Sequence, residues 1–181
     1  GLLREKAKAH HIITSILREH DRYGEAYDFD VWAQAVAPDE ASYLLAVLDD
    51  AVGLGRVPEV LSRLDQARDL ILTPSQRLHL SMISLAVFTQ SGNADRVRHT
   101  ARNLTRLMER IPMSGHEVPS LNAVRFFLRS EQGLEEIQRE ALQGIAQVIS
   151  VHKNALSGVV LRSQLDLLLR SFDGSTLSSN P

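Results

Sequence analysis

Residues 73–111 read TPSQRLHLSMISLAVFTQSGNADRVRHTARNLTRLMERI, and this stretch carries its own punctuation. Thr73 is placed to accept free backbone N–H groups at a helix start, and Pro74 suits the first helical position. Gln76 can reach back to complete a capping box. From Leu78 to Phe88 the apolar residues cover more than half the circumference of a helix, a pattern expected when a helix lies between neighbours rather than on a surface. Ser91-Gly92-Asn93 breaks the run: Gly92 can adopt the left-handed conformation that closes a helix, and Asn93 can cap the next one. In that second helix Val97, Ala101, Leu104 and Met108 recur at spacings of three and four and share a face. Arg98, Arg102, Arg106 and Arg110 recur every four residues and, at ~100° per residue, fall on the other side. The stretch is thus a helix hairpin with a core face and a guanidinium face.

The same reading extends in both directions. Residues 2–19 suit a helix with an apolar patch at Ile12, Ile13, Ile16 and Leu17, and with a basic start (Arg4, Lys6, Lys8) that opposes the helix dipole and favours fraying. Residues 20–30, HDRYGEAYDFD, read as an acidic loop leading to a short helix over 29–36 that buries Phe29, Val31, Trp32 and Val36. Pro38-Asp39-Glu40 opens a helix running through Leu44, Leu45, Val47, Leu48, Ala51 and Val52 to Gly53-Leu54-Gly55. Pro58 starts another, with Val60, Leu61, Leu64, Ala67 and Ile71 on its apolar side. Beyond the central hairpin, 111–120 is a loop, and helices are expected over 120–130, 134–152 and 155–172. Residues 173–181, DGSTLSSNP, form a flexible tail. The expected fold is all-α, about eight helices in a single domain over 1–172, arranged as stacked antiparallel hairpins or an irregular bundle.

Composition agrees. Apolar residues make up 44% of the 181 but aromatics only 5%, a balance suited to packed helices. A net charge of −2 gives no global attraction to nucleic acid or acidic lipid, so basic recognition has to be local. With no cysteine, disulfides, thiol catalysis and thiolate metal sites are excluded, which fits a cytoplasmic or other reducing compartment. No apolar run approaches the ~18 residues of a membrane span. Gly1 in place of an initiator methionine suggests a cleavage scar or an excised domain.

Glycines between helices fall at 55, 92 and 133, which suggests a helix–turn–helix unit of 37 to 41 residues. Counted from Gly55 the unit holds Val60, Leu64 and Ala67; counted from Gly92 it holds Val97, Ala101 and Leu104. Over residues 40–111 this resembles the tetratricopeptide repeat. The slot that family fills with alanine is valine here, its tryptophan and paired tyrosines are missing, and the unit from Gly133 has Gln138 at a small-residue position. A HEAT-like array shares the layout. The resemblance implies a scaffold that binds protein segments and has no catalysis of its own.

His10 and His11 are adjacent, so they point ~100° apart on a helix, unlike the i, i+4 pair of a zinc helix. Asp21, Glu25, Asp28 and Asp30 lack the central glycine and closing glutamate of a calcium loop. Leu165 to Leu169 has LxxLL docking spacing, which a core helix displays equally well. No nucleophile elbow or phosphate loop occurs. The expectation is therefore a non-enzyme with no cofactor and no metal. Its site is the stripe Arg98, His99, Arg102, Arg106 and Arg110, which can grip carboxylates through guanidinium forks, although an ordinary solvated face has the same pattern. The expected partner is a protein with an acidic segment, and no membrane. Nucleic acid is a lesser alternative because no aromatics interleave the arginines. A ligand-sensing regulatory domain of a transcription factor is the other.

Overall fold

The structure, a computed structural model, describes residues 1–110, 139–141 and 143. Six helices occupy the first 110 residues: α1 (Leu2–Glu19), α2 (Tyr23–Val36), α3 (Ala41–Gly53), α4 (Val57–Arg68), α5 (Pro74–Gln90) and α6 (Ala94–Arg110). Residues 139–141 are helical too, and no strand occurs among the described residues. The fold is all-α. The loop expected over 111–120, the helices expected over 120–130, 134–152 and 155–172, the tail 173–181, the LxxLL segment and the unit from Gly133 lie outside the described residues, apart from the helical positions 139–141 and 143.

The helices pair through one recurring turn. After α3, Gly55 has φ +73°, its N–H bonds the carbonyl of Val52, and the N–H of Arg56 bonds that of Ala51. After α5, Gly92 has φ +72°, and the N–H groups of Gly92 and Asn93 bond the carbonyls of Thr89 and Phe88. These are Schellman closures, in which a left-handed residue satisfies carbonyls the helix end leaves free. A third follows α1, with Asp21 at φ 58° and the N–H of Arg22 bonded to the carbonyl of Leu17. Aspartate tolerates that conformation better than most residues, so this turn carries no glycine to announce it. The start of α5 matches expectation: Gln76 N–H bonds Thr73 Oγ1 at 3.2 Å, and Thr73 N–H bonds Gln76 Oε1 at 3.0 Å. Arg96 N–H likewise bonds the capping Asn93 Oδ1.

Contacts run from α1 to α2, from α2 to α3, from α3 to α4 and α5, and from α5 to α6. The central helices are the most apolar ones. On α3 everything from Tyr43 to Val52 is buried, and on α5 everything from Met82 to Thr89. Leu85 and Leu104 are 0% and 1% exposed, meeting across the same core as Leu48, Val60, Leu64 and Ala141. A smaller cluster of Ala7, Ala33, Ala37 and Tyr43, with Trp32 and Val36 against it, joins α1 and α2 to α3.

Three local expectations are corrected. Residues 20–30 are not a loop: α2 begins at Tyr23 and buries Tyr23, Ala26, Asp30 and Ala33, leaving Val31 exposed and Phe29, Trp32 and Val36 half-buried. Ile71 lies beyond α4, and its side chain is 99% exposed. The largest correction concerns α1, whose buried residues are Ala7 and Thr14, while Ile12, Ile13 and Ile16 are 66%, 45% and 52% exposed. This helix turns its polar side inward.

A buried charge network accounts for that orientation. Arg18 of α1 bonds Asp30 of α2, and its Nε donates to Asp50 Oδ1 of α3 at 2.5 Å. Both carboxylates are wholly buried. Thr14 and His11 also reach Asp30, at 3.3 Å each. Burial alone would lower the Arg18 guanidinium, but the charges of Asp50 and Asp30 outweigh it and hold its pKa above the ordinary value. Burial pushes Asp50 up to about 8, against the pull of Arg18 and with Asp30 adding to the rise. A buried arginine beside two aspartates is nearly neutral when one carboxyl keeps its proton. Asp50 Oδ2 has no hydrogen-bond partner among the described residues. Three helices are tied at one point, and α1 is rotated to deliver its arginine there.

Candidate partner-binding groove

The α4–α5 connection, the outer side of α5 and one flank of α6 enclose a groove of about 860 Å³. Its floor is apolar because these helices are packed edge on: Leu72, Leu80 and Phe88 belong to the main core and show one side to the groove. Ser84 also lines it, with its hydroxyl donating to the Leu80 carbonyl at 2.8 Å and so already satisfied.

The rim is basic. Arg68 comes from the end of α4, Arg77 from the first turn of α5, and Arg96, His99 and Arg106 from α6. Asp95 is the one carboxylate among the described lining residues, and it faces Arg98 at 3.7 Å. Arg68 is paired with Asp65 at 3.0 Å. Arg96 lies over the Phe88 ring, 5.2 Å from its centroid, a cation–π contact that leaves its charge free for a further partner. Arg77 and Arg106 are exposed and have no ion pair among the described residues. His99 Nε2 lies 3.1 Å from Asn103 Nδ2, which holds the ring toward the groove mouth.

The expected stripe is only partly gathered here. A step of four residues advances a helix by 400°, so each arginine is displaced ~40° from the one before. Arg98 therefore sits on the far flank, where its Nε donates to Glu140 Oε1 at 3.2 Å. Arg102 is exposed between the flanks. His99 and Arg106 reach the groove. The side chain of Arg110, like that of Met108, lies outside the described residues. Sequence reasoning missed Arg68, Arg77 and Arg96, which come from three different helices. The only linear trace of them is that each stands within a few residues of a helix end, where chain segments converge.

Ile71 adds an apolar element. It stands between Leu70 and Leu72, both of which line the groove, yet its own side chain points wholly into solvent. Such an arrangement can hold an anionic chain along its guanidinium rim and apolar side chains against its floor. Among the described residues no helix is long and apolar enough to cross a membrane. Comparison of the chain with protein-family models, with curated proteins and with solved structures finds no match.

Proposed function

We propose that the protein is a non-enzymatic helical interaction domain, a scaffold or adaptor, whose groove binds an acidic, partly apolar segment of a partner protein. The observation that carries this reading is the set of guanidinium groups with no ion pair among the described residues, Arg77 and Arg106 with Arg96 beside them, around the floor of Leu72, Leu80 and Phe88. Guanidinium forks suit carboxylates, and arginines and aromatics are enriched where interfaces bury most. The same turn closure at Asp21, Gly55 and Gly92, 34 and 37 residues apart, supports a hairpin array of the tetratricopeptide kind. Arrays of that kind present elongated binding surfaces.

The test is fluorescence anisotropy with labelled peptides of about fifteen residues in which glutamates alternate with leucine and phenylalanine. The parent chain should bind these and not a lysine-substituted counterpart. Arg77→Glu with Arg106→Glu should weaken binding by at least about tenfold, since like charges then oppose each other. Its melting temperature should stay close to the parent's, because both sites are exposed. Equal binding of acidic and basic peptides would refute the reading. Tighter binding of single-stranded oligonucleotides would shift it to nucleic acid, which the groove suits less: its described aromatic, Phe88, is 3% exposed and covered by Arg96. The groove volume also lies within the range of small-molecule sites. That observation favours a ligand-sensing reading, for which small aromatic carboxylates should raise the melting temperature.

A further inference from the structure

On the first helix, at the other end of the helix order from the groove, Leu2, Leu3, Ile12, Ile13 and Ile16 are between 45% and 72% exposed. At 100° per residue Leu2, Ala9, Ile12, Ile13 and Ile16 fall within one stripe, turned away from the buried Ala7, Thr14 and Arg18. Glu5 interrupts this stripe near its start; isolated exposed apolar residues are ordinary, but the run of Ala9, Ile12, Ile13 and Ile16 gathered on one helix face marks a contact surface. The Arg18 network holds α1 in this orientation, so the stripe cannot turn inward without stripping Asp30 and Asp50 of their partner. At its other end, Arg4 is paired with Asp39 at 2.8 Å.

We propose that two copies of this chain pair through this face, antiparallel about a two-fold axis near Ile13. The charges beside the stripe select that occupant and that direction. Lys6 and Lys8 stand near the start of α1 and Glu19 at its end, against the helix dipole, while Glu5 in the first turn and the inward-turned Arg18 in the last run with it. Within a copy Lys8 meets Glu5 at 3.5 Å through one exposed contact, which leaves other ammonium N–H groups for a second carboxylate; Glu19 lies on the same flank but ~16 Å along the helix, too far to pair with Lys8 of its own copy. In an antiparallel pair centred near Ile13, Lys8 of each copy comes opposite Glu19 of the other. The acidic end of one helix then lies beside the positive end of the other dipole. The same register sets Ile16 into the space beside the small Ala9 and Ile12. A parallel pair would instead oppose lysine to lysine and glutamate to glutamate. Self-complementarity of this kind is what a two-fold interface requires.

Sedimentation velocity of the full chain, from low to high micromolar, provides the test. The parent should pass from monomer to dimer over that range. Ile12→Glu with Ile16→Glu should stay monomeric throughout, with an unchanged circular dichroism spectrum. Lys8→Glu should weaken the dimer, and adding Glu19→Lys should restore it. This charge swap, at exposed positions, carries the same test if the glutamates at 12 and 16 disturb α1. A parent that is monomeric at every concentration overturns the proposal, as does a dimer that survives Ile12→Glu with Ile16→Glu. A double swap weaker than Lys8→Glu alone overturns the antiparallel arrangement and the proposal with it.

Discussion

Asp50 holds its proton to about pH 8 in the folded chain, while an unfolded aspartate releases it near 3.8. The folded state therefore binds the extra proton between those values, and this group's contribution to stability falls as pH rises through that window. Asp50→Asn should flatten the dependence. The amide oxygen still accepts from Arg18 Nε, and the amide, like the protonated acid, carries no charge. At pH 9 the variant should melt several degrees above the parent, a shift matching roughly a kcal/mol or more in a chain of this size. Equal slopes of melting temperature against pH from 5 to 9 would contradict the assignment. Three residues on, Gly53 shows a different constraint: a Cβ there would lie 2.5 Å from Tyr23 Cδ1 and 2.7 Å from Cγ. Tyr23 is itself buried, 4% exposed, so its ring would have to shift within the core. Alanine in a helix usually gains ~0.5–1 kcal/mol over glycine, but overpacking a filled site costs ~1–3 kcal/mol. Gly53→Ala should thus lose stability in urea unfolding, and a gain would show that the ring can move.

At the level of helices, legibility followed burial by apolar side chains. α3, α4 and α5 follow from periodicity and caps because hydrophobic burial decides their orientation, so most residues that look internal are internal, Leu61 and Ile71 on the α4 side being the exceptions at 36% and 99% exposed. Leu85→Ala, at a fully buried position of α5, should accordingly cost ~2–5 kcal/mol. Hydrophobicity misleads on α1, whose rotation is set by Arg18 between Asp30 and Asp50. No linear pattern joins residues 18, 30 and 50, and the same pairing hid Asp30 inside what reads as an acidic loop. The start of α2 was missed for a related reason: Asp21 performs the turn that Gly55 and Gly92 perform elsewhere. In the candidate groove His99 and Arg106 were legible from one helix, whereas Arg68, Arg77 and Arg96 meet only through tertiary packing. The inverted helix makes its own prediction. Measured on dilute, monomeric protein, Thr14→Ala should cost about 1 kcal/mol, through the hydroxyl that bonds the His11 carbonyl at 2.8 Å and touches Asp30. Ile16→Ala should change stability by less than ~0.5 kcal/mol. The opposite order would place Ile16 in the core.

At the level of the whole molecule, the groove lies against α4, α5 and α6, while the apolar stripe lies on α1, which packs on α2. The two faces share no residue, and sites without shared partners are expected to act additively. A paired molecule would therefore carry two grooves that work independently. In solution, one acidic peptide should bind each groove with the same affinity in the parent and in the monomeric Ile12→Glu, Ile16→Glu variant. On a surface densely coated with that peptide the parent should dissociate more slowly, because one groove holds its neighbour at high effective concentration. The difference should vanish on a sparse coating, where two grooves cannot engage together. Surface plasmon resonance at two coating densities, beside anisotropy in solution, measures both. A fall in solution affinity in the monomeric variant would mean that the faces are coupled through α2 and α3. Equal dissociation on dense and sparse coatings, with the dimer established by sedimentation, would mean that pairing points the two grooves away from a common surface.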